Sequence, residues 1–330
     1  IELDLGLVDA RTVDGVDTLL LMAQSLAQQV VDVWSHLEGF IDRPYGNEVY
    51  WVSRDDESTS LHSAPLHVGE LLKTLLYESK RSIIMTSATL AVGGSFAYVR
   101  ERLGLEAKAR TKLIGSPFNY RKQALIYIPE DMPEPNQPGY QRAVERALLE
   151  LTTASGGRAL VLFTSHAALR ATYAAIKGPL ERQGIVLLGQ NLDGSRRQLL
   201  NMLRTYGKTV LMGSASFWEG VDVAGPALSA LAIVRLPFSV PSDPVFAARS
   251  ESFESPFSDY AVPQAVLRFK QGFGRLIRTS TDRGVVLVLD RRIVSKAYGQ
   301  TFLRSVPTCS LRRGGIDGIG TAVVDWVGRD

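Results

Sequence analysis

One cysteine, Cys309, in 330 residues excludes an internal disulfide, a CxxC redox pair and a cysteine-held zinc or iron–sulfur site within the chain. Histidine is scarce too. His36, His62, His67 and His166 lack the HExxH spacing, so histidine-held metal catalysis has no footing. No apolar run reaches the roughly 18 residues of a membrane span, and no N-X-Ser/Thr sequon occurs. A basic n-region and a small-residue cleavage site are also missing, which argues against a signal peptide. The start at Ile1 without a Met points to a segment of a longer protein. The expected compartment is a reducing cytoplasm. Neither sign of charge dominates: 37 Lys and Arg face 34 Asp and Glu, a formal charge of +3, so an anionic partner must be met by a local cluster. With 45% hydrophobic and 22% charged residues, the chain is neither disordered nor low-complexity, and its length suggests about two domains. No internal repeat is found.

What is present is ordered. From Leu19 the apolar residues Met22, Leu26, Val30, Val33 and Leu37 step by three or four, which predicts an amphipathic helix of about five turns in need of a partner face. Residues 42–47 read as a turn, 49–53 as a strand and 68–77 as a short helix. Residues 82–86, β-branched and apolar at the centre, predict a strand buried on both faces, the mark of a parallel sheet. Residues 129–138 hold four prolines and predict a loop. Beyond it, helices are expected at 140–151, 167–181, 196–206 and 263–278. Strands are expected at 159–163, 185–188, 209–212, 230–235 and 285–290. Alternating strands and helices predict an α/β domain with a parallel sheet covered by helices on both faces. Right-handed crossovers would then gather the C-terminal strand ends on one edge, where ligands bind.

The residues just after the strands are small and hydroxylic: Thr86 to Thr89, Thr164 and Ser165, Gly213 and Ser214. Short hydroxyls and free N–H groups suit phosphate oxygens, although each could equally cap the following helix. The densest charge lies in 264–304, nine basic residues against two acids. Within it, Gln271, Arg275 and Arg278 are spaced to share a helical face, two guanidinium forks and an amide suited to a polyphosphate. Gly272 and Gly274 disfavour a plain solvated helix and suggest close approach by backbone or ligand. Three patterns are decoys. Gly207-Lys208-Thr209 ends like a phosphate loop but follows a helix and precedes a strand. Asp55-Asp56-Glu57 reads as a hairpin turn. The glycine-rich run Gly314 to Gly320 is expected to follow no strand and is weak as a dinucleotide fingerprint.

Six blocks in order carry a resemblance. They are Thr86-Ser87-Ala88-Thr89-Leu90, Gly115-Ser116-Pro117-Phe118, Phe163-Thr164-Ser165, Ser216-Phe217-Trp218-Glu219-Gly220-Val221-Asp222, Leu236-Pro237-Phe238, and Gln271 to Arg278. Over residues 82 to about 307 the chain closely resembles the DinG/XPD-like superfamily 2 DNA helicases. The resemblance implies that Ser87 and Thr89 are the motif III pair linking nucleotide state to the cleft between two motor domains. It implies that Thr164 and Ser165 touch the DNA backbone, that Ser214, Ser216 and Trp218 face the strand, and that Glu219, Gly220 and Asp222 lie toward the nucleotide. Trp218 can stack on a base or plug the sheet edge, and the packing role is the one expected. Gln271, Arg275 and Arg278 match motif VI, whose arginines reach the γ-phosphate of ATP.

No residues match the family's Walker A lysine or its DEAH-type acid, and the four cysteines that hold an iron–sulfur cluster in many members are missing. The resemblance therefore implies the C-terminal portion of an ATP-dependent DNA helicase, in which ATP and Mg²⁺ are held mainly outside this chain. An iron–sulfur cluster, if the parent has one, is not held here. The implied partners are single-stranded DNA, ATP and the N-terminal half of the same helicase, with no membrane; 5′ to 3′ movement is implied by the family alone. The expected organisation is a helical segment at 1–45 resembling the end of the arch insertion, and the returning part of the first RecA-like domain at 46–118. The second RecA-like domain follows at 119–306, with a tail at 307–330. Alone, the chain is expected not to hydrolyse ATP. Two other readings are a non-catalytic nucleic-acid-binding module and an unrelated α/β phosphotransferase. The second would want a glycine-rich loop after an early strand, and none is found.

Overall fold

The computed structural model describes residues 16–42, 46–55, 58–105, 109–218 and 228–328. Nine strands are formed by the described residues. β1 (Glu48–Arg54) and β2 (Thr59–Pro65) make an antiparallel hairpin. Asp55 starts its turn, where Oδ1 accepts from the Ser58 N–H at 2.7 Å. The other seven are β3 (Ala124–Pro129), β4 (Ala159–Leu162), β5 (Val186–Gly189), β6 (Thr209–Gly213), β7 (Ala230–Ile233), β8 (Gly284–Val288) and β9 (Ser310–Gly314). They form one sheet in the order β5-β6-β4-β7-β8-β3-β9, every pair parallel. Strands β3, β4, β6, β7 and β8 are buried throughout, as apolar runs sandwiched between helix layers must be. Along β4 the pleat sorts its side chains: Leu160 and Leu162 join one core with Phe217, Phe269 and Phe302, while Ala159 and Val161 join the other with Val144, Leu148 and Trp326.

The helices of the second half stand where periodicity places them: Tyr140–Ala154, His166–Glu181 and Arg196–Thr205. The last begins with a reciprocal Ser195/Gln198 cap. Three expectations are corrected. Residues 82–86 form no strand and are exposed, Ile84 by 88%, because no described strand pairs with either of their edges. The basic helix ends at Phe273, with Gly274 as its C-cap, so Arg275 and Arg278 lie in the turn beyond it and not on a shared helical face. The glycine-rich run does follow a strand, since Gly314 closes β9 and the helix Ile319–Val327 comes next. Its amides are nevertheless engaged by the chain itself: Asp131 accepts from the Ile316 N–H and the Tyr127 hydroxyl donates to the Gly315 carbonyl. Within residues 307–328, β9 pairs with β3 and Trp326 packs into the core.

The helix Val16–Asp42 is present and longer than expected. Near its C-terminal end Phe40 packs edge-on against Tyr50 of β1, ring centroids 5.0 Å apart, whereas Met22, Leu26 and Trp34 are 64%, 62% and 68% exposed. Between 46 and 118 the described residues add the hairpin, short helical turns at Gly69–Leu72 and Lys73–Tyr77, and the helix Ala97–Leu103.

Candidate functional site

The C-terminal ends of β4, β6 and β7 open onto a groove of about 640 Å³ lined by Thr164, Ser216, Trp218, Phe238, Gln264 and Arg268. Thr164 and Ser216 are exposed there. Ser165 caps the helix His166–Glu181, its side chain accepting from the Ala168 N–H at 3.4 Å, so the capping alternative describes it. Ser214 is buried. Its Oγ lies 3.0 Å from His166 Nε2, and both its N–H and its hydroxyl donate to Gln190 Oε1, at 2.7 and 3.0 Å. Gln190 Nε2 in turn donates to Ser216 Oγ at 3.2 Å. Gln190 was not among the expected residues. It follows β5, and the strand-end rule that picked out the other hydroxyls points to it as well.

Trp218 packs at the sheet edge. It is 3% exposed, its Nε1–H donates to the Phe163 carbonyl at 3.0 Å, and its ring lies over Gly272. The close approach at Gly272 is made by the indole ring and the Leu162 side chain. Glu219, Gly220 and Asp222 lie outside the described residues.

The basic turn is held from several sides. Arg275 Nη2 donates to the Trp218 carbonyl at 3.2 Å, tying the end of the 262–273 helix to the end of the Ala215–Trp218 helical turn. Asp282 Oδ2 accepts from the N–H groups of Arg278 and Thr279 at 2.7 and 2.8 Å. Gln123 Nε2 donates to the carbonyls of Thr279, Ser280 and Asp282. A turn with its amides and carbonyls so satisfied presents Arg278 from a fixed backbone. Gln123 carries no sequence signal of this, since its partners are backbone groups 156 to 159 positions away, whereas Asp282 acts locally, three and four positions from its partners. Gln271 Oε1 is buried with no partner among the described residues, an acceptor available to a ligand hydroxyl or a water. Ser87 and Thr89 are brought together locally, Oγ to Oγ1 at 3.0 Å, on the segment after residue 86. Lys270, one residue before Gln271, donates to the Ala91 carbonyl at 2.7 Å, and burial pushes its ammonium pKa down. No helix among the described residues is long and apolar enough to cross a membrane.

The chain is similar in sequence and fold to known proteins. Residues 148–309 match the family model described as the helicase C-terminal domain. The chain is 41% identical over 270 residues to the ATP-dependent DNA helicase YoaA of Haemophilus influenzae, covering 80% of this chain and 41% of that protein. It is 38% identical over 275 residues to the ATP-dependent helicase DinG of Mycobacterium tuberculosis, with the same coverages. To the 3′-5′ exonuclease DinG of Bacillus subtilis it is 37% identical over 278 residues, 80% of this chain and 30% of that one. The chain therefore spans well under half the length of these relatives. A solved XPD helicase superposes with a TM-score of 0.58 at 18% identity, over 81% of this chain and 48% of the other, and an apo XPD structure with 0.59 at 18%, over 88% and 59%. Such low identities speak to the fold: a RecA-like α/β sheet. Residues 148–309 are a helicase C-terminal domain, and the chain belongs with the DinG- and YoaA-type members of the DinG/XPD-like helicases.

Proposed function

We propose that this chain is the second-motor half of an ATP-dependent DNA helicase that couples ATP hydrolysis to movement on single-stranded DNA. The observation that carries the reading is the backbone-pinned turn bearing Arg275 and Arg278 beside a hydroxyl-lined strand edge. In this reading the exposed hydroxyls of Thr164 and Ser216 donate to DNA phosphates, with Ser165 and Ser214 fixing the backbone around them and Gln190 orienting Ser216. Gln271, Arg275 and Arg278 face the γ-phosphate of an ATP whose triphosphate and Mg²⁺ are held by the N-terminal half. The bound nucleotide supplies the phosphoryl group and its Mg²⁺ neutralises phosphate charge. The guanidinium groups stabilise charge that grows on the transferred phosphoryl oxygens, in a geometry set beforehand by Asp282 and Gln123. Gln271, with its partnerless buried oxygen, is placed to accept from the attacking water. Ser87 and Thr89 report the nucleotide state to the cleft, and Glu219, Gly220 and Asp222 lie on the nucleotide side. Residues 1–45 belong to an arch-like helical insertion and 46–118 to the first motor domain. The protein works in the cytoplasm.

The test on this chain is fluorescence anisotropy of a labelled single-stranded oligonucleotide across a salt series. Weak binding whose logarithm falls linearly with log salt supports the reading, because each neutralised phosphate releases a counterion. No binding at low salt, or binding indifferent to salt, contradicts it.

A further inference from the structure

Between residues 82 and 105 a single described residue is buried, Ala91, at 3% exposure. Val92 beside it packs on the core layer that contains Phe269 and Phe302. The Val92 N–H donates to the Ser95 carbonyl and the Ser95 N–H to the Val92 carbonyl, both at 2.9 Å. This closes a two-residue turn in which Gly93 and Gly94 have φ of 56° and 85°, values that glycine adopts without strain. The turn is gripped at two points, by the helices Val262–Phe273 and Gly299–Ser305. Lys270 Nζ donates to the Ala91 carbonyl at 2.7 Å, and the Gly93 N–H donates to Ser305 Oγ at 3.0 Å. Ser305 is 9% exposed. A methionine would fill the space of Lys270 with no charge to desolvate. What distinguishes lysine here is therefore its bond to Ala91.

We infer that the 91–95 turn is an anchor fixing the Ser87/Thr89 segment to the helix that carries Gln271, and that Lys270 is a positioning residue for ATP hydrolysis. The inference rests on the helicase reading above. Ala91 lies two residues after Thr89, and Lys270 directly precedes Gln271. Two residues of chain and the single Lys270–Ala91 hydrogen bond thus join the hydroxyl pair to the helix that leads into the arginine turn, and a shift at one is passed to the other instead of being absorbed by loose chain. Loss of the anchor leaves every proposed ligand group in place but misaligned, and small misplacements cost about 10- to 100-fold in rate.

Two measurements test this. In this chain, hydrogen exchange should show the Gly93 amide protected in the wild type. Exchange across 86–96 should be faster in Lys270→Met, Ser305→Ala and Gly94→Ala, with the sheet and the melting temperature little changed. A Cβ at residue 94 would meet open space, so that substitution perturbs backbone conformation alone. Equal exchange in all four proteins overturns the anchor. In the intact protein, Lys270→Met should lower the kcat of DNA-stimulated ATP hydrolysis by about 10- to 100-fold with KM for ATP and DNA affinity within about twofold, and Lys270→Arg should restore most of it. A Lys270→Met kcat equal to that of a DNA-stimulated wild type overturns the positioning role alone. A wild type with no DNA-stimulated hydrolysis overturns the helicase reading itself, and with it the role assigned to Lys270.

Discussion

Trp218 closes over Gly272: a Cβ at residue 272 would lie 2.9 Å from the indole Cζ3, while the indole N–H is held by the Phe163 carbonyl at 3.0 Å. The contact joins the end of β6 to the last turn of the basic helix, and Arg275, which donates to the Trp218 carbonyl, continues the same link. Packing at the sheet edge therefore sets where the arginine turn sits.

Gly272→Ala should destabilise the chain by about 1–3 kcal/mol through overpacking, despite alanine's better helix propensity. Trp218→Ala should cost about 3–5 kcal/mol. In the double variant the new methyl enters space the indole has left, so the two losses should be less than additive. Urea denaturation of the four proteins checks the cycle, and strict additivity would deny the contact.

Asp290, with no exposed surface, accepts from the Leu236 N–H at 2.8 Å and from Arg292 Nη2 at 2.7 Å, and the Arg292 guanidinium lies over the Phe238 ring. It thus holds the Leu236-Pro237-Phe238 turn at the groove. Asp290→Ala should cost about 3–5 kcal/mol, since it strands a half-buried guanidinium and a buried amide. Chemical denaturation reads the loss.

The buried strands were legible because a parallel sheet covered on both faces demands continuous apolar runs, and Leu160 to Leu162 or Val285 to Val288 can be little else. β3 and β9 escaped for physical reasons. β3 runs straight into Pro129, and β9 is an edge strand whose alternation carries two arginines. Residues 82–86 read as a buried strand because β propensity is local, whereas burial needs neighbours that the described residues do not supply. Arg275 and Arg278 were found by residue type and spacing, but their spacing also fits a helical face. Only the C-cap at Gly274 shows that a turn presents them. The pinning of that turn by Gln123 joins distant backbone groups and leaves no local pattern, while that by Asp282 is a short-range contact.

Cys309 should be a slow thiol. Burial pushes its pKa up to about 11, so at pH 8 only about one thiol in a thousand is ionised. Its reaction with Ellman's reagent should be far slower in the native chain than in urea, and should quicken about tenfold per pH unit between 8 and 10. A native rate equal to the unfolded one would contradict this burial.

Alkali should weaken the fold. Burial raises the Tyr98 pKa to about 12 and that of Tyr140 likewise upward, while an unfolded tyrosine ionises near its ordinary value of 10. The native state then holds protons that the unfolded state has released, so stability falls as pH rises from about 10 to 12. Tyr98→Phe should flatten that fall in a series of urea melts, and an unchanged slope would show that Tyr98 ionises as freely folded as unfolded.

The central claim is that Arg275 and Arg278 act on the phosphoryl group of ATP, and steady-state ATP hydrolysis by the intact protein, with and without single-stranded DNA, tests it most directly. Arg275→Ala and Arg278→Ala should each lower the DNA-stimulated rate by a factor of about 10³ to 10⁵, with DNA affinity nearly kept. A double variant that turns over ATP at close to the wild-type rate would contradict the account.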